Sequence, residues 1–260
     1  MSLDPLSLAA LAACVFFAGV VDALAGGGGI ITLPAYLAVG LPPALLLGTN
    51  KLASAIGTVA SAARFWRQLR IPVRPFLPVL AASWLGSLAG ARLVLHLDPA
   101  WLRPMVLVAL PLLAAATYAR PVWGETDASA SLPPAALRNR SLGVGAAVGA
   151  YDGFFGPGTG TFFALALSRL CGYSLLGATA RAKLLNLVSN VSALAAFLLA
   201  GRVDWRLGAL MGVVSVAGHS VGAHLALRRG GAAIRPAIAL VCSALFVKLL
   251  LDMRALAGSP

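Results

Sequence analysis

Acidic side chains are almost missing from this sequence. Asp and Glu number 8 among 260 residues, and charged residues of either sign make up 11% of the chain. A soluble domain of this length carries roughly a quarter charged residues, so a surface wetted on all sides is excluded. Cysteine is scarce as well: Cys14, Cys171 and Cys242 lie far apart in apolar sequence, none with a Cys or His nearby. That pattern excludes a disulfide frame and a cysteine-based metal site, leaving three small buried hydrophobes. Histidines number only 3, and HExxH, GxSxG and a glycine loop followed by Lys-Ser/Thr are absent. The common hydrolase and nucleotide-binding signatures are therefore missing, and neither a metal nor a cofactor is expected. The first apolar stretch also lacks a basic flank, Asp4 being the only charge before Asp22. It is expected to stay in the mature fold and not to act as a signal peptide.

Apolar residues are abundant. They make up 60% of the chain, and mean hydropathy is +0.90. Several runs approach or exceed the ~20 residues that carry a helix across a bilayer. The formal net charge of +12 sits mostly in short connections, "RFWRQLRIPVRP" from Arg64 to Pro75 and "LRRGGAAIRP" from Leu227 to Pro236. Positive-inside topology and anionic headgroups place Lys and Arg there. The expected partner is the lipid bilayer, not a nucleic acid.

The chain repeats itself. At an offset of 132 residues Lys51 falls on Lys183, Arg70 on Arg202, Gly86 on Gly218, Gly90 on Gly222 and Arg103 on Arg235. "DALAGGGG" from Asp22 meets "DGFFGPGT" from Asp152 at an offset of 130. Leucine and alanine matches would be cheap in so biased a composition; matched Lys, Arg, Gly and Pro are not. Residues 1–119 and 141–260 are thus read as two homologous transmembrane repeats, with residues 120–140, polar and rich in Ser and Pro, as the linker. The fold class expected is an all-α polytopic membrane protein of 8–10 segments. Each half has a Gly-broken short helical hairpin followed by three long transmembrane helices. In the first half the segments are Pro5 to Leu24, Ile30 to Val39, Ala44 to Trp66, Pro72 to Leu95 and Ala100 to Ala119. In the second they are Leu142 to Phe155, Gly158 to Cys171, Leu175 to Ala200, Trp205 to Leu227 and Ala232 to Met253. The most basic connection follows the third segment in the first half but the fourth in the second, which predicts inverted halves; a parallel arrangement remains the other solution.

Glycines interrupt membrane-grade sequence twice, at "GGGG" and at "GPGTG". A broken helix within a bilayer is tolerated where its freed backbone faces protein or a watery cavity. A helix N-terminus presents unpaired N–H groups and partial positive charge, and glycine lets an anion approach them. Two such breaks at matched positions fit the plan of secondary transporters. Tight turns or close helix packing are the plainer alternative.

Polar residues inside the long helices follow the same symmetry. Thr49, Asn50, Lys51 and Ser54 sit early in one, and Lys183, Asn186 and Asn190 share a face of its mate. An intramembrane lysine is expensive unless paired and is a functional candidate, with snorkelling from the helix end as the alternative. The substrate-binding set expected is Gly28, Gly29, Thr49, Asn50, Lys51 and Ser54 with Gly158, Thr159, Gly160, Thr161, Lys183, Asn186 and Asn190. Asp22 and Asp152 are proton-coupling candidates, with structural pairing to Lys51 or Lys183, or turn capping, slightly preferred. His219 lies deep in a helix and could titrate near neutral pH, but its mate is Ser87, so symmetry does not support it. Arg92, His96 and His224 read as interfacial anchors, Lys248 as a residue that snorkels or pairs with Asp252, and Gly86/Gly90 and Gly218/Gly222 as helix-packing motifs.

"VDALAGGGGIITLPAYLAVGLPPALLLGTNKLAS" and "GAYDGFFGPGTGTFFALAL…ATARAKLLNLVSNVSALAAFLLAGRVDW" closely resemble the two signatures of the sulfite exporter TauE/SafE family of bacterial membrane permeases. The resemblance covers nearly the whole chain. It implies a multi-pass inner-membrane transporter for sulfite, sulfoacetate or related organosulfonates, often described as an exporter. The chain departs from the pattern at Ala182, where a polar Thr commonly precedes the lysine, and carries Arg181 beside it; both bear on substrate choice. The function expected is secondary transport of a small sulfur oxyanion or organosulfonate by alternating access, with a passive anion channel as the alternative and a membrane-embedded enzyme set aside. A homodimeric second copy is compatible with the sequence.

Overall fold

The computed structural model describes residues 4–98, 126–234 and 236–237. The helices are α1 (Pro5–Ala25), α2 (Gly29–Ala38), α3 (Pro43–Leu69), α4 (Val73–Leu95), α5 (Pro134–Phe154), α6 (Thr159–Cys171), α7 (Leu175–Leu199) and α8 (Trp205–Arg229). Among the described residues there is no β-strand. Four of these helices, α1, α4, α7 and α8, are long and apolar enough to cross a membrane. The chain is an all-α polytopic membrane protein. The expected segments Ala100 to Ala119 and most of Ala232 to Met253, with Cys242, Lys248 and Asp252, lie outside the described residues.

Local chemistry sets the helix ends. Asp4 caps α1 by accepting from the N–H groups of Leu6 and Ser7, with Pro5 in the first helical position. Gly26 stops α1 with φ +85°, a left-handed conformation that favours glycine. Asp204 caps α8 through the N–H of Leu207. One boundary differs from expectation. Helix α5 starts at Pro134, not Leu142, so the end of the polar linker is its first two turns. Pro133 and Pro134 supply the extended entry and the pre-set first φ, which outweigh the polarity of Arg138, Asn139 and Arg140.

Glycine contacts fix how the long helices run. A Cβ on Gly86 or Gly90 of α4 would overlap the carbonyls of Ala146 or Ala150 of α5. One on Gly218 or Gly222 of α8 would overlap those of Phe16 or Val20 of α1. These are the packing roles expected of both small-residue pairs. Residue numbers rise together along α1 and α8, along α3 and α8, along α4 and α5, and along α4 and α7, so the partners in each pair run parallel. The three-residue connection between α3 and α4 reverses the chain. Helices α1, α3 and α8 therefore run one way, and α4, α5 and α7 the other. The helices form two bundles by the same division, and the bundles meet chiefly where α3 crosses α7. The bundles are not the sequence halves: α4 packs with the second half and α8 with the first.

These directions also place the short helices. Helix α1 ends at Gly26 and α3 starts at Pro43, yet the two run the same way, so α2 must return through the depth that α1 climbed. Its 10 residues span about 15 Å, and the 13 residues of α6, in the equivalent place, about 20 Å.

Candidate functional site

Both glycine breaks arrive at one place. Gly26 packs backbone to backbone on Gly160, too tightly for a Cβ on either. Thr161 Oγ1 donates to the carbonyl of Ala25, tying the start of α6 to the end of α1. Beside this contact lies a polar cavity lined by Asp22, Gly26, Gly29, Asn50, Lys51 and Ser54 from the first half and by Asp152, Gly156, Asn186 and Asn190 from the second. It measures about 20 Å³, room for roughly one water molecule and too little for an organosulfonate.

The two lysines are sunk in the protein, 3% and 1% exposed for Lys51 and Lys183. Neither snorkels. Each takes a carboxylate from the other half: Lys51 Nζ lies 2.7 Å from Asp152 Oδ1, and Lys183 Nζ lies 3.3 Å from Asp22 Oδ2. Lys183 also donates to the main-chain carbonyl of Asp22. Structural pairing of Asp22 and Asp152 is thus what the structure contains. Helices α3 and α1 belong to one bundle, and α5 and α7 to the other. Both ion pairs consequently bridge the two bundles.

The amides around the pairs present donors. Lys51 Nζ donates to Asn190 Oδ1 at 2.9 Å, and Thr32 Oγ1 donates to Asn50 Oδ1 at 2.6 Å. With both oxygens accepting, the side-chain N–H₂ groups of Asn50 and Asn190 are what remain to offer. The N-terminus of α2 already holds an anion, because the N–H of Gly28 donates to Asp22 Oδ1 at 3.1 Å. That anion is the protein's own carboxylate.

The expected residues divide three ways. Gly29, Asn50, Lys51, Ser54, Asn186 and Asn190 line the cavity, and Gly28 and Lys183 touch it through Asp22. Thr49, Gly158, Thr159, Gly160 and Thr161 are not part of its lining. Thr49 Oγ1 accepts from the N–H of Asp204, and Thr159 Oγ1 donates to the carbonyl of Gly156, so their hydroxyls serve local turns. Arg181 is remote as well. Its guanidinium stacks 3.9 Å over the Tyr173 ring and donates to the carbonyl of Gly177, while Ala182 is packed among Phe163, Ala178 and Leu185. Sequence reasoning missed Gly26, Gly156 and Thr32, and it set aside His219, whose Nε2 lies 3.1 Å from Asp22 Oδ2. The signal for His219 was a histidine in mid-helix among apolar residues.

The profile of the sulfite exporter TauE/SafE family matches residues 11–249. The chain belongs to the sulfite exporter TauE/SafE family. Curated TauE/SafE relatives align along almost their full length. A probable membrane transporter protein, YfcA, of Escherichia coli (strain K12) is 38% identical over 252 residues, covering 96% of this chain and 91% of the relative. The probable membrane transporter protein ORF9 of Sinorhizobium sp is 37% identical, covering 94% and 93%. A probable membrane transporter protein of Haemophilus influenzae is 36% identical, covering 95% and 96%. No solved structure matches the chain. This TauE/SafE chain is a multi-pass membrane transporter and not an enzyme.

Proposed function

We propose that this protein is a secondary transporter that exports small sulfur-containing anions, sulfite or an organosulfonate, across the inner membrane by alternating access, with its two halves acting as inverted repeats. One observation carries the reading: two lysine–carboxylate pairs, each joining one half to the other and one bundle to the other, flank a cavity reached by both glycine breaks. An arriving oxyanion offers each ammonium group an alternative to its carboxylate. As Lys51 turns to the substrate, Asp152 is released; as Lys183 does, so is Asp22. The bundles are then free to tilt about the α3–α7 crossing and to open the cavity to one side. In the absence of anion, the ion pairs hold the bundles together and limit the leak. The basic ends of α3 and α8, where Arg64 lies against His224 at 2.8 Å, share one membrane face, which the positive-inside bias makes cytoplasmic.

The test is anion flux in proteoliposomes, preceded by a thermal-shift screen in detergent with sulfite, sulfate, sulfoacetate, taurine and carboxylates. Stabilisation by a sulfur anion, saturable flux with counterflow, and loss of flux in folded Lys183→Ala are expected. Ohmic single-channel current would assign a passive channel instead, and stabilisation by carboxylates alone would remove the sulfur-anion assignment.

A further inference from the structure

The cluster around Asp22 has a member that its counterpart lacks. His219, 2% exposed in the middle of α8, places Nε2 3.1 Å from Asp22 Oδ2 and Nδ1 3.0 Å from the carbonyl oxygen of Ser215. The hydroxyl of Ser215 is 3.2 Å from the same Nδ1. Nε2 thus faces the Asp22 carboxylate, and Nδ1 faces both an acceptor, the Ser215 carbonyl, and a hydroxyl able to donate to it. The ring therefore accommodates two protonation states: a neutral imidazole that donates from Nε2 to Asp22 and accepts the Ser215 hydroxyl at Nδ1, and an imidazolium that donates from both nitrogens. The second state holds one proton more than a neutral imidazole beside an ionised carboxylate. In the other half Ser87 occupies the equivalent position and donates to the carbonyl of Ser189 at 2.6 Å. There Asp152 Oδ2 has no hydrogen-bond partner among the described residues.

The charged groups around His219 are few. Asp22 faces it from α1, with Lys183 of α7 behind Asp22. Helix α3 contributes Thr58, whose Oγ1 lies 3.5 Å from Nε2, with Lys51 and Arg64 about two turns to either side. On α8 itself, His224 and Arg228 lie further toward the helix end.

We infer that the His219–Asp22 pair is the proton-coupling site of the transporter, and that it works on one side of the pseudo-symmetric cavity only. The inference rests on the transport reading above. With the proton bound, Asp22, Lys183 and the imidazolium carry a net single positive charge beside the cavity, which favours an entering anion. When the proton leaves Nε2 it passes through the carboxylate of Asp22, which lines the cavity, to water there, and the ring keeps its Nδ1–H on the Ser215 carbonyl. The bare Nε2 then accepts from the Thr58 hydroxyl. The cluster falls to zero net charge and the anion is released with the proton; a dianion that moves with one proton still carries negative charge, so an inside-negative membrane potential drives the pair outward. Proton and anion favour each other's binding, as linkage requires of any such pair.

The test uses sulfoacetate, whose own charge is constant over the interval where imidazole titrates, roughly pH 5 to 8. In wild type, sulfoacetate affinity should rise on the order of ten-fold as pH falls through that interval, and an inward proton gradient should drive its uptake into proteoliposomes. In His219→Gln, counterflow at equal pH should persist while the affinity change and gradient-driven uptake disappear. Thr58→Val leaves the ring in place and should displace the pH profile without abolishing counterflow. A wild-type pH dependence retained in both variants would overturn the inference. If wild type binds no sulfoacetate, that substrate assignment fails, and the proton site is read directly by ¹⁵N-histidine NMR. The chain has only 3 histidines, so the His219→Gln difference spectrum assigns the signal. Two protonated ring nitrogens, or one proton shared with Asp22, are expected; a singly protonated ring with no shared proton throughout the interval would overturn it.

Discussion

Lys51 Nζ and Asp152 Oδ1 are 2.7 Å apart, with both side chains at most 3% exposed. Removing one partner from such a buried pair strands the other charge and costs about 3–5 kcal/mol, whereas replacing both with apolar residues costs far less. Lys51→Met and Asp152→Leu should therefore each lower stability by about that amount, and the double variant by clearly less than their sum. A double-mutant cycle from denaturant unfolding in detergent measures the coupling; additive losses would mean that the pair contributes nothing of its own.

Glycine substitutions should separate by position. Gly26 combines φ +85° with a Cβ direction blocked by Gly160, so Gly26→Ala should cost at least about 1–3 kcal/mol. Gly90→Ala and Gly222→Ala force α4 from α5 and α8 from α1, and should also destabilise. Gly143 lies inside α5 with nothing within 4 Å of its would-be Cβ. Gly143→Ala should be neutral or stabilising by about 0.5–1 kcal/mol. Thermal unfolding of the set in one detergent checks the order.

Arg181 is committed to Tyr173 and the Gly177 carbonyl, away from the cavity. Arg181→Ala should leave the ranking of anions in the thermal-shift screen unchanged. A reordered ranking would bring Arg181 back into substrate choice.

Asp127, ahead of α5, offers a pH test outside the membrane. Burial pushes its carboxyl up, but hydrogen bonds from the Ser129 hydroxyl and N–H and from the Ser174 backbone, with the nearby Arg181 charge, outweigh it and hold it below the ordinary carboxylate value. A depressed folded value means that the contribution is present above the unfolded pKa, about 3.9, and is lost as pH falls through the folded value. Hydrogen exchange at the Ser129 amide should be slowed near neutral pH and released in strong acid. Asp127→Asn should weaken that protection at neutral pH.

Much of this arrangement could be read from residue types. The break at Gly26 and the pairing of the buried lysines follow from glycine and charge inside apolar sequence, which a bilayer tolerates only where freed backbone and buried charge find partners in the protein. The threonines misled because a hydroxyl near a helix start has backbone acceptors within reach, as Thr159 finds in Gly156; residue type does not tell a local bond from an outward one. His219 was set aside because Ser87 broke the symmetry, yet the contact with Asp22 depends on α8 lying against α1, which no periodicity reveals. The pairs Gly86/Gly90 and Gly218/Gly222 marked faces for close approach without saying which helix approaches.

The exchange of α4 and α8 between bundles also has a consequence for synthesis. Lys51 enters the bilayer long before its counter-ion exists, since Asp152 is still to be translated. At about 5–20 residues per second, the nascent chain carries that unmatched ammonium for roughly 5–20 s. During that interval the insertion machinery or a water-filled vestibule has to shelter it, and neither half can settle into its final neighbours before the ribosome has delivered the other.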